Sequence, residues 1–441
     1  MISPQRRQEI IDALRRGTVP QRGLDALAVG IDRFAPAFDA ELDVVARGGA
    51  GTKCIRGEYG SGKTFLVRWV AERAKQQGFA ASEIQISEGE TPLHHLETVY
   101  RRLCERLGTS DVAAGALRSV VDAWFFVLEE DVLASGSVRE DDAPALLAAT
   151  QELAEQRLAD INRRAPAFSA VLRAYRRAAA DGDSALAEGL LAWLGGQPHV
   201  AAGVKRAAGI KGDLDHDAAL SFLQGLLALL RDAGSAGLVL VLDEVETLQR
   251  VRGDVRDRAL NALRQLIDEV DAGRFPGLYL VITGTPAFFD GPQGIHRLTP
   301  LAQRLHTDFT TDARFDNPRA VQVRLPGFDL DLLGEVGRRV REIYAEGVAD
   351  QAAAERIATH VDDAYIAVLA EAVTGELGRK VGVAPRVFLK KLVGDVLDRV
   401  EQFPEFDPRR DYKLTLIDGE LTEVERNARA AESVDDIDLD L

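Results

Sequence analysis

The stretch Gly57-Glu58-Tyr59-Gly60-Ser61-Gly62-Lys63-Thr64 sets three glycines, a lysine and a hydroxyl at fixed spacing. That pattern suits the holding of a phosphate chain. The backbone must fold back so that successive N–H groups point inward, and side chains at the glycine positions would block the approach. Lys63 would supply a point charge to the β- and γ-phosphates, and Thr64 a hydroxyl to Mg²⁺. The helix that follows would offer its positive N-terminus. An apolar run ending at Arg56 reads as the strand before the turn, and Phe65 onward as the helix after it. A purely structural glycine turn would not need those flanks. The residues from Gly57 through Phe65 are therefore expected to bind ATP with Mg²⁺.

A second group of side chains complements this loop. The apolar run "LVLVLDEVE" ends in Asp243 and Glu244. Asp243 at such a strand end would hold the water shell of Mg²⁺, while Glu244 would polarise the attacking water. The run "LYLVIT" ends in Thr283, with Thr285 just beyond. A hydroxyl there would sense the γ-phosphate and align the water, and Thr283 is the stronger candidate. Arg304, in "RLTPLAQRLHTDF", is either a finger reaching a neighbouring subunit's γ-phosphate or a solvated helix arginine. Arg386 lies in the first turn of a helix opening at Pro385, where its guanidinium could fold over the phosphates.

These residues need a scaffold that gathers them. Strands are expected from Thr52 and at 82–87, 237–244, 277–285 and 320–328, alternating with helices. Thr91-Pro92 reads as a helix start. Such alternation indicates an α/β fold, a parallel sheet sandwiched by helices, with ligands at the carboxyl ends of the strands. Residues 1–50 read as a helical segment packed on the core, and 51–108 with 235–328 as that core. A long helical insertion covers 109–234, a helical lid 329–402, and a hairpin around Asp418-Gly419 with an acidic tail 403–441.

Composition narrows the function. A net charge of −16, from 70 acidic and 54 basic residues, disfavours wrapping by DNA over the whole surface. One segment departs from this: nine basic and four acidic residues lie between Arg157 and Lys211, the candidate contact for double-stranded DNA or an acidic partner. Helix arginines paired locally or solvated are the alternative. Cys54 and Cys104 form neither a disulfide framework nor a metal site, and the adjacent His94 and His95 lack ligand spacing. The amphipathic start "MISPQRRQEIIDALRR" is unlike a signal peptide, and the apolar helix from Ala218 is too short to span a bilayer. A cytoplasmic location without membrane contact is expected.

The motifs, taken in order, resemble the AAA+ P-loop ATPases, especially the branch related to the Orc1/Cdc6 initiators. The resemblance implies Lys63 and Thr64 as Walker A, Asp243 and Glu244 as Walker B, and Thr283 as sensor 1. It further implies Arg304 as the finger and Arg386 as sensor 2. The stretches "LRRGTVPQRGLDALAVGIDRF", "IRGEYGSGKTF", "SEIQISEGETPLHHLETVYRRL" and "VLDEVETL" are similar to ATP-binding proteins of BREX phage-defence systems, the BrxD-like family. Membership would imply a bacterial ATPase working with a partner helicase against invading DNA. The chain departs from the initiators in two ways: the run after Val400 is too short for their winged helix, and residues 109–234 lengthen the gap between the Walker motifs.

Three functions compete on these observations. The first is a nucleotide-driven switch, a homo-oligomer with ATP at subunit boundaries. The second is a slow-hydrolysing, STAND-like signalling or scaffold ATPase whose output is assembly. The third is a P-loop kinase, which would need an acceptor site that the sequence does not reveal.

Overall fold

The computed structural model describes residues 2–139, 141–377, 385–417, 419, 421, 425 and 426. Five parallel strands form one sheet: β1 (Gly51–Arg56), β2 (Ala80–Gln85), β3 (Leu238–Asp243), β4 (Leu278–Gly284) and β5 (Gln322–Arg324). Their spatial order is β2-β3-β4-β1-β5. Register aligns the carboxyl ends, with Gln85 opposite Asp243, and Arg56 opposite both Gly284 and Arg324.

The central strands are apolar throughout because both faces are covered. In β3, Leu238, Leu240 and Leu242 enter one core, while Val239 and Val241 enter another on the opposite face. β4 divides likewise, Leu278, Leu280 and Ile282 against Tyr279 and Val281. This two-residue alternation fixes the strands between two helical layers. One layer contains the helix Lys63–Gln76, which starts at the glycine loop. The other contains the helices Leu96–Arg106 and Gly253–Asp271.

Seven helices run between Leu117 and Asp232 among the described residues. Their aromatic centre, Trp124, Phe168, Trp193 and Phe222, is continuous with the core under β3 and β4. Helices from Leu330 to Gln402 build a separate core around Val340, Ile366, Phe388 and Val393. The helix ending at Gln402 contains a π-helical turn at Lys391–Leu397.

Several boundaries differ from the expected ones. The N-terminal segment does not pack only on the sheet core: Ile10, Ile11 and Leu14 bury against the C-terminal helices, whereas Phe34, Phe38 and Leu42 pack on the sheet. Strand β2 starts two residues early, at Ala80. The helix expected from Pro92 begins at Leu96 instead. Ser87 accounts for this, because its Oγ accepts from the amides of Glu90 and Thr91 and closes a turn there. Tyr412–Ile417 carry no strand, Asp418 lies outside the described residues, and so does the acidic tail from 427 onward.

Candidate functional site

β1 delivers the chain to Gly57, where a Cβ would lie 2.4 Å from Ser61 Oγ. A side chain there would displace the Ser61 hydroxyl and crowd the Leu325 carbonyl, 3.2 Å away. Gly60 and Gly62 have φ of +77° and +90°, a region that glycine enters at little cost. The loop so formed wraps Lys63, whose Nζ donates to the carbonyls of Gly57 (2.7 Å) and Glu58 (3.2 Å). The Tyr59 ring lies 5.3 Å from the same nitrogen, and Glu246 3.9 Å from it. Burial pushes the Lys63 pKa down, and nearby acids, Glu246 first, oppose that shift. Ser61 Oγ is buried without a hydrogen-bond partner.

The strand order places β4 between β1 and β3, and so brings three polar side chains together. Thr64 Oγ1 donates to Asp243 Oδ2 at 3.0 Å. The Thr283 hydroxyl donates to the other oxygen of Asp243. The amide of Glu244 donates to Thr283 Oγ1 (3.0 Å) and to Asp243 Oδ1 (3.2 Å). Glu244 itself has a φ of +60°, costly for a residue with a Cβ, which turns the chain sharply off β3. Its carboxylate accepts from Gln85 Nε2 at 2.7 Å, across the β2–β3 register. Thr285 is buried at the start of the helix Pro286–Asp290 and takes no part in this chain of bonds.

A pocket of about 350 Å³ lies over the loop, within the range that small ligands use. Tyr59 through Phe65, Glu244, Glu246 and Arg386 line it. Gly57, Glu58 and Asp243 reach the lining through their bonds to Lys63 and Thr64, and Thr283 through Asp243. The remaining wall is apolar: Val19, Leu27, Val29 and Ile31 face Leu325, Phe328, Leu332 and Val336 around it. Arg386 is held by Glu425, with one contact at 3.1 Å. Arg304 does not line this pocket; it pairs with Asp268 at 2.5 Å and remains part-exposed.

A family model for the BREX system ATP-binding proteins BrxC/D matches residues 2–416, nearly the whole chain. The chain belongs to this family. Membership makes ATP the expected ligand and implies a role in a phage-defence system. No curated protein matches the chain. The site of this BREX family member fits the nucleotide: a side-chain-free turn at Gly57, an unsatisfied hydroxyl at Ser61, and a lysine that gives two of its three donors to loop carbonyls suit a phosphate chain. The oxygens of Thr64 and Asp243 are hard ligands of the kind that hydrated Mg²⁺ accepts. No helix among the described residues is long and apolar enough to cross a membrane.

Four features escaped sequence reasoning. The stretch from Val19 to Ile31 resembles the family, but no spacing in it shows that Val19, Leu27, Val29 and Ile31 wall the pocket. Gln85 reaches Glu244 only through strand register, and Glu425 reaches Arg386 from 39 residues away. Glu246 was visible in "DEVE", but only packing reveals that it is buried.

The basic segment is largely neutralised within the fold of this BREX protein. Arg157 pairs with Asp131 and Asp232, Arg163 with Asp160, Arg173 with Glu155, Arg176 with Glu129 and Lys205 with Asp213. Most of those acids lie outside the window from Arg157 to Lys211, so a local charge count overstated the excess. Arg177, Arg206 and Lys211 make no ion pair among the described residues; the Arg164 side chain lies outside them.

Proposed function

We propose that this chain is an ATP-hydrolysing AAA+ switch of a BREX system, cytoplasmic and homo-oligomeric, acting on double-stranded DNA or with a partner helicase. One observation carries the proposal: Thr64, Asp243, Thr283 and Glu244 are joined by hydrogen bonds at the ends of three neighbouring strands, beside the glycine loop. When bound, Mg²⁺ spreads the charge of the β- and γ-phosphates. The loop amides and Lys63 hold the phosphates, Thr64 and Asp243 supply the metal's oxygens, and Thr283 keeps Asp243 in place. Glu244 orients and polarises the attacking water once Gln85 releases it.

Two arginines complete this scheme. Arg386, on the helix Pro385–Lys390, exchanges Glu425 for the phosphates, so that residues 329–402 act as a lid. Arg304 serves a neighbouring subunit, in keeping with its place outside its own pocket. The insertion 109–234 shares a core with β3 and β4 and is the element that would carry the change to DNA or helicase.

Substituting Glu244→Gln tests the chemistry. ATP binding should persist while turnover falls by about 10²-fold or more; equal turnover would remove Glu244 from the mechanism. A slow signalling ATPase is the second reading, favoured by the two restraints, Gln85 on Glu244 and Glu425 on Arg386.

A further inference from the structure

We infer that Glu246 is a positioning residue that competes with bound nucleotide for Lys63, and so weakens the hold of the site on its phosphates. This rests on the ATP reading above and extends it to a residue outside the Walker pair. Glu246 lies in the first turn of the short helix Val245–Gln249, directly after β3, and is only 4% exposed. Its carboxylate takes no hydrogen bond from another residue, only a contact with its own backbone amide. A buried carboxylate so poorly satisfied is costly, and folds rarely keep one without a use.

Its nearest cation is Lys63, at 3.9 Å, and both residues line the pocket. Lys63 meanwhile spends its hydrogen bonds on the carbonyls of Gly57 and Glu58. Its third donor is open to a phosphate, whose pull on the ammonium Glu246 opposes. The other charges around Glu246 are Asp243, Glu244 and Lys63, with Glu58 beside Lys63 and Arg250 beside Tyr59. Four acids, Glu246, Asp243, Glu58 and Glu244, thus act on one lysine, and burial pushes the Glu246 carboxyl pKa up. A triphosphate entering here meets a lysine whose charge is already opposed. The same opposition lets the diphosphate product leave.

A merely structural partner would behave in the opposite way. If Glu246 only steadied Lys63, its loss would loosen the lysine and lower affinity. The two roles therefore differ in sign.

The test is equilibrium binding of ATP and of ADP, each with Mg²⁺, to the full chain and to its Glu246→Gln, Glu246→Asp and Lys63→Ala variants. Glu246→Gln should bind both nucleotides at least about tenfold tighter, below the roughly thousandfold that the full attraction of two unit charges about 4 Å apart would give at an effective protein dielectric. Without nucleotide it should melt close to the parent, because the cost of burying the carboxylate disappears together with its attraction to Lys63. Glu246→Asp, which keeps the charge but draws it back, should fall between the two and serves if the glutamine variant fails to fold. Unchanged or weaker binding by Glu246→Gln, with binding lost in Lys63→Ala, would overturn the inference and leave the ATP reading intact. Unchanged binding in Lys63→Ala would overturn both.

Discussion

Glu244 occupies the most constrained position in the site. Its backbone is left-handed, its amide is spent on Thr283 and Asp243, and its carboxylate is held by Gln85 at 2.7 Å. A charged group tied to an amide is a poorer base than a free one, so under the proposed mechanism the restraint would set the resting rate. Replacing Gln85 with alanine should raise basal ATP hydrolysis severalfold with little change in stability; an unchanged or lower rate would show that Gln85 positions Glu244 productively. At this scale the sequence was most legible where chemistry is local. Gly57 to Thr64 stand in one continuous turn, so spacing alone carries their role. Gln85 and Glu246 depend on register and burial, which no spacing encodes.

Elements position the site through a few long-range ties to the helix Lys63–Gln76. Glu72 accepts from the amides of Gly23 (2.6 Å) and Leu24 (2.8 Å), and Trp69 Nε1 donates to Asp25 at 2.6 Å. Arg73 grips Asp39 through two bonds, of 2.6 and 2.7 Å. These contacts hold the segment that supplies Val19, Leu27, Val29 and Ile31 to the pocket wall. Glu72→Ala leaves two backbone donors without their partner and should cost about 1–3 kcal/mol of stability, read by denaturant titration. It should also weaken nucleotide binding, because the wall shifts; a stability loss with unchanged affinity would detach the wall from the ligand. The sheet was readable from apolar runs and their acidic ends. The start of the helix at Leu96 was not, because Ser87 closes a turn that outweighs the proline signal.

At the scale of the molecule, three cores among the described residues divide the labour. Two clasp the sheet, and the third joins the helix Pro4–Arg15 to the C-terminal helices. Arg15 reinforces that junction through bonds of 2.7 and 2.9 Å to Asp398, so the N-terminal helix should move with the C-terminal helices. The alternation of strands and helices made the layered architecture legible. The split of residues 1–50 between two cores was hidden, since a helical pattern shows a buried face and not its partner. The proposed mechanism assigns Arg304, which pairs with Asp268 and does not line the pocket, to a second subunit. Mixing the Arg304→Ala and Lys63→Ala variants should restore part of the hydrolysis that each alone has lost, because one supplies the arginine and the other the loop. No recovery in the mixture would confine Arg304 to a structural role. The most direct test of the central claim is steady-state ATP hydrolysis across a range of protein concentrations, with and without double-stranded DNA, with Lys63→Ala as the blank. The account predicts a specific rate above the blank that climbs with concentration and with DNA. A rate flat at the blank level while ATP stays bound would contradict it.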